Sequence, residues 1–158
     1  MSKIKVIVFD FDGTLYSVDD LSVTWKEYCN KCIRTMFSEL SDAEYNKLLF
    51  NENFKKITFN NAISLLKKHD KMEKLFEYRN KTNLEIDISK TMAFSNEELN
   101  KFARKYTLYI VTNNVQKGVE NISSQLGLDL TKFKKIYVND YKHGVGKEWY
   151  YKEIIKNE

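Results

Sequence analysis

The sequence predicts an α/β fold, with a parallel sheet core interrupted by an inserted all-helical domain. Three observations predict it. Short apolar runs rich in β-branched residues recur at 3–9, 108–111 and 135–138, as in strands covered on both faces. Helical patterns of ordinary crossover length follow the second and third runs, which argues for parallel pairing. Between the first and second runs, residues 17–89 read as helices. That stretch is too long for one crossover.

The first strand, residues 3–9, ends abruptly in Asp10-Phe11-Asp12-Gly13-Thr14, where Gly13 permits a sharp turn. Trp25, Cys29, Cys32, Ile33, Met36, Phe37 and Leu40 then recur at the spacing of one helical face. Ser41 and Glu44 form a capping box for a second helix through Leu48 and Leu49. Ala62, Ile63, Leu65 and Leu66 mark a third helix. Met72, Leu75 and Phe76 mark a fourth, with Asp70 and Glu73 as its expected cap signals. Ser95 and Glu98 open a further helix carrying Leu99, Phe102 and Ala103. The second strand ends at Thr112-Asn113-Asn114, and a helix runs from about 117 to 126, where Gly127 is placed to stop it. The third strand ends at Asn139-Asp140, and Gly144-Val145-Gly146 leads to Lys147 and a final helix. The expected division is a Rossmann-like α/β core, residues 1–16 and 90–158, with a helical insertion at 17–89.

Composition narrows the function classes. A chain of 158 residues that is 42% hydrophobic suits one domain with a small insertion and can bury a real core. The net charge of +4 is spread along the chain, so short runs such as Lys67-Lys68 and Lys134-Lys135 read as solvated faces and not as a nucleic-acid stripe. No stretch approaches the ~20 apolar residues of a membrane span, and the run at 6–9 is too short for a signal peptide and is followed by Asp10 and Asp12. The default expectation is a soluble, cytoplasmic protein.

The chemistry lies at the strand ends. Asp10 and Asp12 stand at the carboxyl end of the first strand, where open α/β sheets place ligands. One carboxylate can act as nucleophile while the other handles protons. Their mutual repulsion favours a divalent cation such as Mg²⁺. Thr112, beside Asn113 and Asn114 and just ahead of a helix, suits a phosphate cradle. Lys147 follows a Gly-x-Gly loop and can meet a phosphate as a point charge. Each feature alone also fits a structural role: turn aspartates, a helix N-cap, a solvated helix-start lysine. In this order, at the ends of predicted parallel strands, they converge.

That ordered set resembles the haloacid dehalogenase superfamily. Val8-Phe9-Asp10-Phe11-Asp12-Gly13-Thr14-Leu15 is similar to its first motif, Ile110-Val111-Thr112-Asn113 to its second, and Gly144-Val145-Gly146-Lys147 to its third. The resemblance implies a phosphatase with a helical cap, acting on a small phosphorylated metabolite. Asp10 would attack phosphorus and form an aspartyl-phosphate. Asp12 would serve as general acid and base, and would lend Mg²⁺ its backbone carbonyl beside the Asp10 carboxylate. Thr112, Asn113 and Lys147 would hold the phosphoryl group. An aspartate at position 12 is similar to the phosphatases and not to the dehalogenases.

One part of the family pattern is missing. Its fourth motif is a strand with acidic residues downstream of the lysine, lying beside the first strand. Only 11 residues follow Lys147, and they read as a helix. Glu148, Glu153 and Glu158 have no preceding strand, and Asp140 lies in another element. The expectation is a truncated or natively degenerate chain, with an exposed first-strand edge open to self-association. An inactive family fragment that binds phosphate or a partner chain is the alternative function. Cys29 and Cys32 read as packed, reduced thiols. His69 and His143 stand alone in the sequence. Tyr16, Trp25 and Tyr28 are candidates for packing or for a substrate pocket.

Overall fold

The structure, a computed structural model, describes residues 4–18, 22–51, 59–82, 86–139 and 146–158. The chain forms two compact units, Met1–Leu21 with Arg79–Glu158, and Ser22–Tyr78.

The first unit is built on three parallel strands, β1 (Val6–Phe9), β2 (Thr107–Val111) and β3 (Lys135–Tyr137), in the order β1-β2-β3. Val8 lies opposite Tyr109 and Phe9 opposite Ile110, while Ile110 lies opposite Ile136. The strands are shorter than their apolar runs: β1 begins at Val6 and β3 stops at Tyr137. Three helices accompany them: α5 (Asn96–Ala103), α6 (Gln116–Leu126) and α7 (Glu148–Asn157).

The alternation of side chains along each strand sends two apolar sets to opposite faces. On one face Tyr109, Val111 and Tyr137 pack with Tyr150 and Ile154 of α7, and Val6 and Val8 join them. On the other, Phe9 meets Phe94, Phe102 and Phe133 edge-on at 5.9–6.1 Å. Burying an aromatic side chain of this size contributes about 1.5–3 kcal/mol. The final helix thus joins the apolar cluster on the Tyr109 face of the sheet through Tyr150 and Ile154. Trp149 and Ile155 stay exposed. The Tyr109 hydroxyl and Lys134 Nζ both bond the Glu158 carboxylate.

Local signals set the helix ends. Ser95 and Glu98 form the full capping box of α5. Gly127 closes α6 in the left-handed conformation, and Asn96 bonds both the Gly127 carbonyl and the Asp129 amide, tying α5 to the end of α6.

The second unit holds α1 (Ser22–Met36), α2 (Asp42–Asn51), α3 (Phe59–Lys68) and most of α4 (Met72–Lys81). Cys32, Ile33, Met36, Phe37, Leu65 and Leu66 are all buried. Ser41 and Glu44 make the expected capping box at α2. Asp70, expected to open α4, instead closes α3. Its φ is +52°, and the bonds from Lys71 N–H to the Leu66 carbonyl and from Asp70 N–H to the Lys67 carbonyl complete a Schellman ending. Aspartate tolerates this conformation better than most residues, so its side-chain chemistry suits either end of a helix. His69 packs edge-on against Phe37 at 5.4 Å. The side chains of Trp25 and Cys29 lie outside the described residues, as do Asp140, His143, Gly144 and Val145. Among the described residues no helix is long and apolar enough to cross a membrane.

Candidate active site

The site lies at the carboxyl ends of the strands, within the sheet unit. β1 delivers Asp10 directly. One carboxylate oxygen, Oδ1, accepts the Phe11 N–H at 2.7 Å. The other, Oδ2, meets Lys147 Nζ at 2.5 Å. The lysine stands at the N-terminal boundary of α7, where the chain returns from β3. Its side chain is 19% exposed, that of Asp10 41%. A carboxylate with one face open and a cation at its side can reach an incoming phosphorus atom.

After Asp10 the chain makes one tight turn. The Thr14 and Leu15 amides donate to the Phe11 carbonyl, and Gly13 takes φ +75°, a conformation that a side chain strains. The returning segment pairs with 92–94: Ser17 N–H donates to the Met92 carbonyl and Phe94 N–H to the Leu15 carbonyl. This bracing places Tyr16, only 2% exposed, so that its hydroxyl donates to Asp12 Oδ1 at 2.5 Å. Burial, followed by the charge of Asp12, pushes the Tyr16 hydroxyl far above its usual range, so it stays a donor. Ring packing against Phe11 at 5.5 Å fixes its direction.

β2 supplies the other half of the Asp12 surroundings. Thr112 is fully buried, and its hydroxyl donates to Asp12 Oδ2 at 3.2 Å while accepting the Asn114 N–H at 3.0 Å. Asn114 Nδ2 donates to both Asp12 oxygens, at 3.0 and 3.3 Å. The orientation of that carboxamide is settled by its other end, because Oδ1 accepts the Val115 N–H at 2.9 Å and Arg79 Nη2 at 2.6 Å. Arg79 comes from the last turn of α4, which belongs to the sheet unit.

The structure thus brings Asp10 and Lys147 into one ion pair, and Asp12 and Thr112 into one hydrogen-bonded group. Asn113 is exposed in the turn before α6, whereas its neighbour Asn114 is buried and reaches Asp12. Sequence reading set Asn114 in the Thr112 turn but missed it, and Tyr16, as partners of Asp12, and missed Arg79 as a partner of Asn114. A weak signal for Asn114 existed: Gly118, a glycine inside a helix, leaves the space its side chain occupies. A cavity of about 390 Å³ flanks the turn, lined by Gly13, Thr14, Tyr16, Val18, Met92 and Phe94 among others. Asp10, Asp12 and Lys147 are not in its wall, so it is a neighbouring groove and not the place where the charged groups meet.

Comparison with known proteins bears on the family and the fold. The family profile of the haloacid dehalogenase-like hydrolases matches residues 7–157. A haloacid dehalogenase-like family hydrolase from Streptococcus pneumoniae superimposes with a TM-score of 0.54 at 18% identity, over 98% of this chain and 70% of that one. The HAD-hydrolase YfnB from Bacillus subtilis, in a magnesium-bound crystal structure, gives a TM-score of 0.49 at 17% identity, over 99% and 75%. No curated protein sequence matches the chain significantly.

Proposed function

Because the chain belongs to the haloacid dehalogenase-like hydrolases, we propose that it is a magnesium-dependent phosphatase that hydrolyses a small-molecule phosphomonoester through an aspartyl-phosphate on Asp10. The observation that carries this reading is the ion pair of Asp10 with Lys147, 2.5 Å apart, beside an Asp12 held two residues along the same strand end.

In the first step an Asp10 oxygen attacks phosphorus while the bond to the leaving oxygen breaks, and Asp12 gives that oxygen its proton. Water then attacks the phosphorus of the aspartyl-phosphate and passes a proton to Asp12. Inorganic phosphate departs, and Asp10 is restored. Lys147 offers the phosphoryl oxygens a point charge. Thr112 exchanges its Asp12 acceptor for a phosphoryl oxygen, and Asn113 presents the exposed turn ahead of α6 to the same group. The helical unit serves as the family's cap, excluding water and choosing the leaving group.

Two oxygen donors at the strand end are of the kind that magnesium takes. The Asp10 carboxylate and the Asp12 backbone carbonyl would hold the ion. Among the described residues no group of three or more His, Cys, Asp or Glu side chains is placed to hold a metal. When bound, the ion offsets the charge of the transferring phosphoryl group. The second reading is a family member that binds phosphate without turnover.

The test is phosphate release from a panel of metabolite phosphomonoesters, with and without Mg²⁺, by the wild-type chain and Asp10→Asn. The substitution keeps size and removes the nucleophilic charge, so release falls to background. Undiminished release by the variant rules out the covalent route. An inert wild type points to the second reading.

A further inference from the structure

We infer that Tyr16 and the Asn114–Arg79 pair are positioning residues that aim the Asp12 carboxylate at the leaving-group oxygen, which rests on the phosphatase reading above. A carboxylate two bonds from the backbone, at a turn containing glycine, has several rotamers open to it. Here donors converge on it from separate directions. Tyr16 holds Oδ1 at 2.5 Å from a hydroxyl whose ring is buried and packed. Asn114 spans both oxygens from the other side, at 3.0 and 3.3 Å. The amide cannot turn over to present its oxygen, since Arg79 and the Val115 N–H both occupy Oδ1. Arg79 thereby acts on Asp12 at one remove, through the orientation of Asn114.

The consequence concerns one class of substrate. Alkyl phosphates lose an alkoxide that needs a proton as the bond breaks, so a misaimed Asp12 slows them. An activated aryl phosphate loses a stable phenolate and needs little help from an acid. Loss of positioning therefore shows as a dependence on the leaving group. Loss of structure slows both substrates alike.

The experiment measures kcat/KM for β-glycerophosphate and p-nitrophenyl phosphate, with Mg²⁺ present, in wild type, Tyr16→Phe, Asn114→Ala, Arg79→Met and Arg79→Lys. This parameter reports the steps up to aspartyl-phosphate formation, where Asp12 acts as acid. Since a general acid contributes roughly 10²–10⁴-fold, the first three variants should lose about 10- to 100-fold on the alkyl ester and under about threefold on the aryl ester. Arg79→Lys, which can still donate to Asn114 Oδ1, should recover most of the alkyl rate. Circular dichroism and thermal melting check folding. Should Tyr16→Phe fail to fold, Arg79→Met, altered at a partly exposed side chain, carries the same expectation. Equal losses on both esters, or none on either, overturn the inference while leaving the phosphatase reading standing. A wild type inert on both esters and on the metabolite panel overturns the two together.

Discussion

A Cβ on residue 118 would stand 2.3 Å from Oδ1 of Asn114. Gly118 is therefore the space into which the buried Asn114 side chain fits. A glycine inside a helix costs about 1 kcal/mol relative to alanine, so helix propensity alone would make Gly118→Ala stabilising. The contact reverses that expectation. Asn114 Oδ1 is held by two donors and has little freedom to retreat. The variant should melt no higher than wild type and should lose at least about tenfold in phosphomonoester kcat/KM, since small displacements near the reacting groups cost up to about 10²-fold. A more stable and fully active Gly118→Ala protein would contradict this account.

Magnesium should bind weakly in the absence of substrate. The donors at the end of β1 are one carboxylate already paired with Lys147 and one carbonyl, and Mg²⁺ sheds its water reluctantly. Calorimetric titration of the free protein should show no tight site, and addition of a phosphate analogue should strengthen the binding. Submicromolar affinity without phosphate would mean that a further ligand completes the shell, with Asp140 the first position to test.

Glu158 should make stability depend on acid pH. Its hydrogen bond from Lys134, then that from Tyr109, hold its carboxyl below the usual carboxylate range. A folded-state pKa below the unfolded one gives stability that is present above the ordinary value of about 4.3 and is lost as pH falls through the folded-state pKa. The melting temperature of wild type should exceed that of Glu158→Gln at pH 7, and the gap should close toward pH 3. A gap of constant size across that range would show that the contribution is not electrostatic.

The edge of β1 should favour self-association. Val6 and Val8 pack against the cluster that holds Tyr150 and Ile154, but a helix supplies no strand hydrogen bonds. Among the described residues β1 pairs only with β2, and a strand edge without a partner readily takes one from another chain. Light scattering should report a mass that rises with concentration, and hydrogen exchange at β1 should slow in parallel. A strict monomer with β1 fully protected at dilution would show that this edge is satisfied within one chain.

What the sequence by itself determined is what short-range chemistry controls. The capping boxes at Ser41 and Ser95, the left-handed stop at Gly127 and the abrupt end of β1 at Asp10 each depend on a few neighbouring residues. Parallel pairing then brings Asp10, Asp12 and Thr112 to one end of the sheet, because strands that run the same way end on the same side. Asp70 could not be placed this way, since its side chain serves equally at the start of one helix and the end of another. Only the tertiary structure decided which groups touch Asp12. Asn114 lies 102 positions along the chain from Asp12, and Arg79 lies 35 positions from Asn114. Neither separation has a periodicity to betray it. The choice of Asn114 over Asn113 turns on which way a side chain leaves the turn after β2, and that direction is set by the room left at Gly118 and by the donors already waiting at Val115 and Arg79.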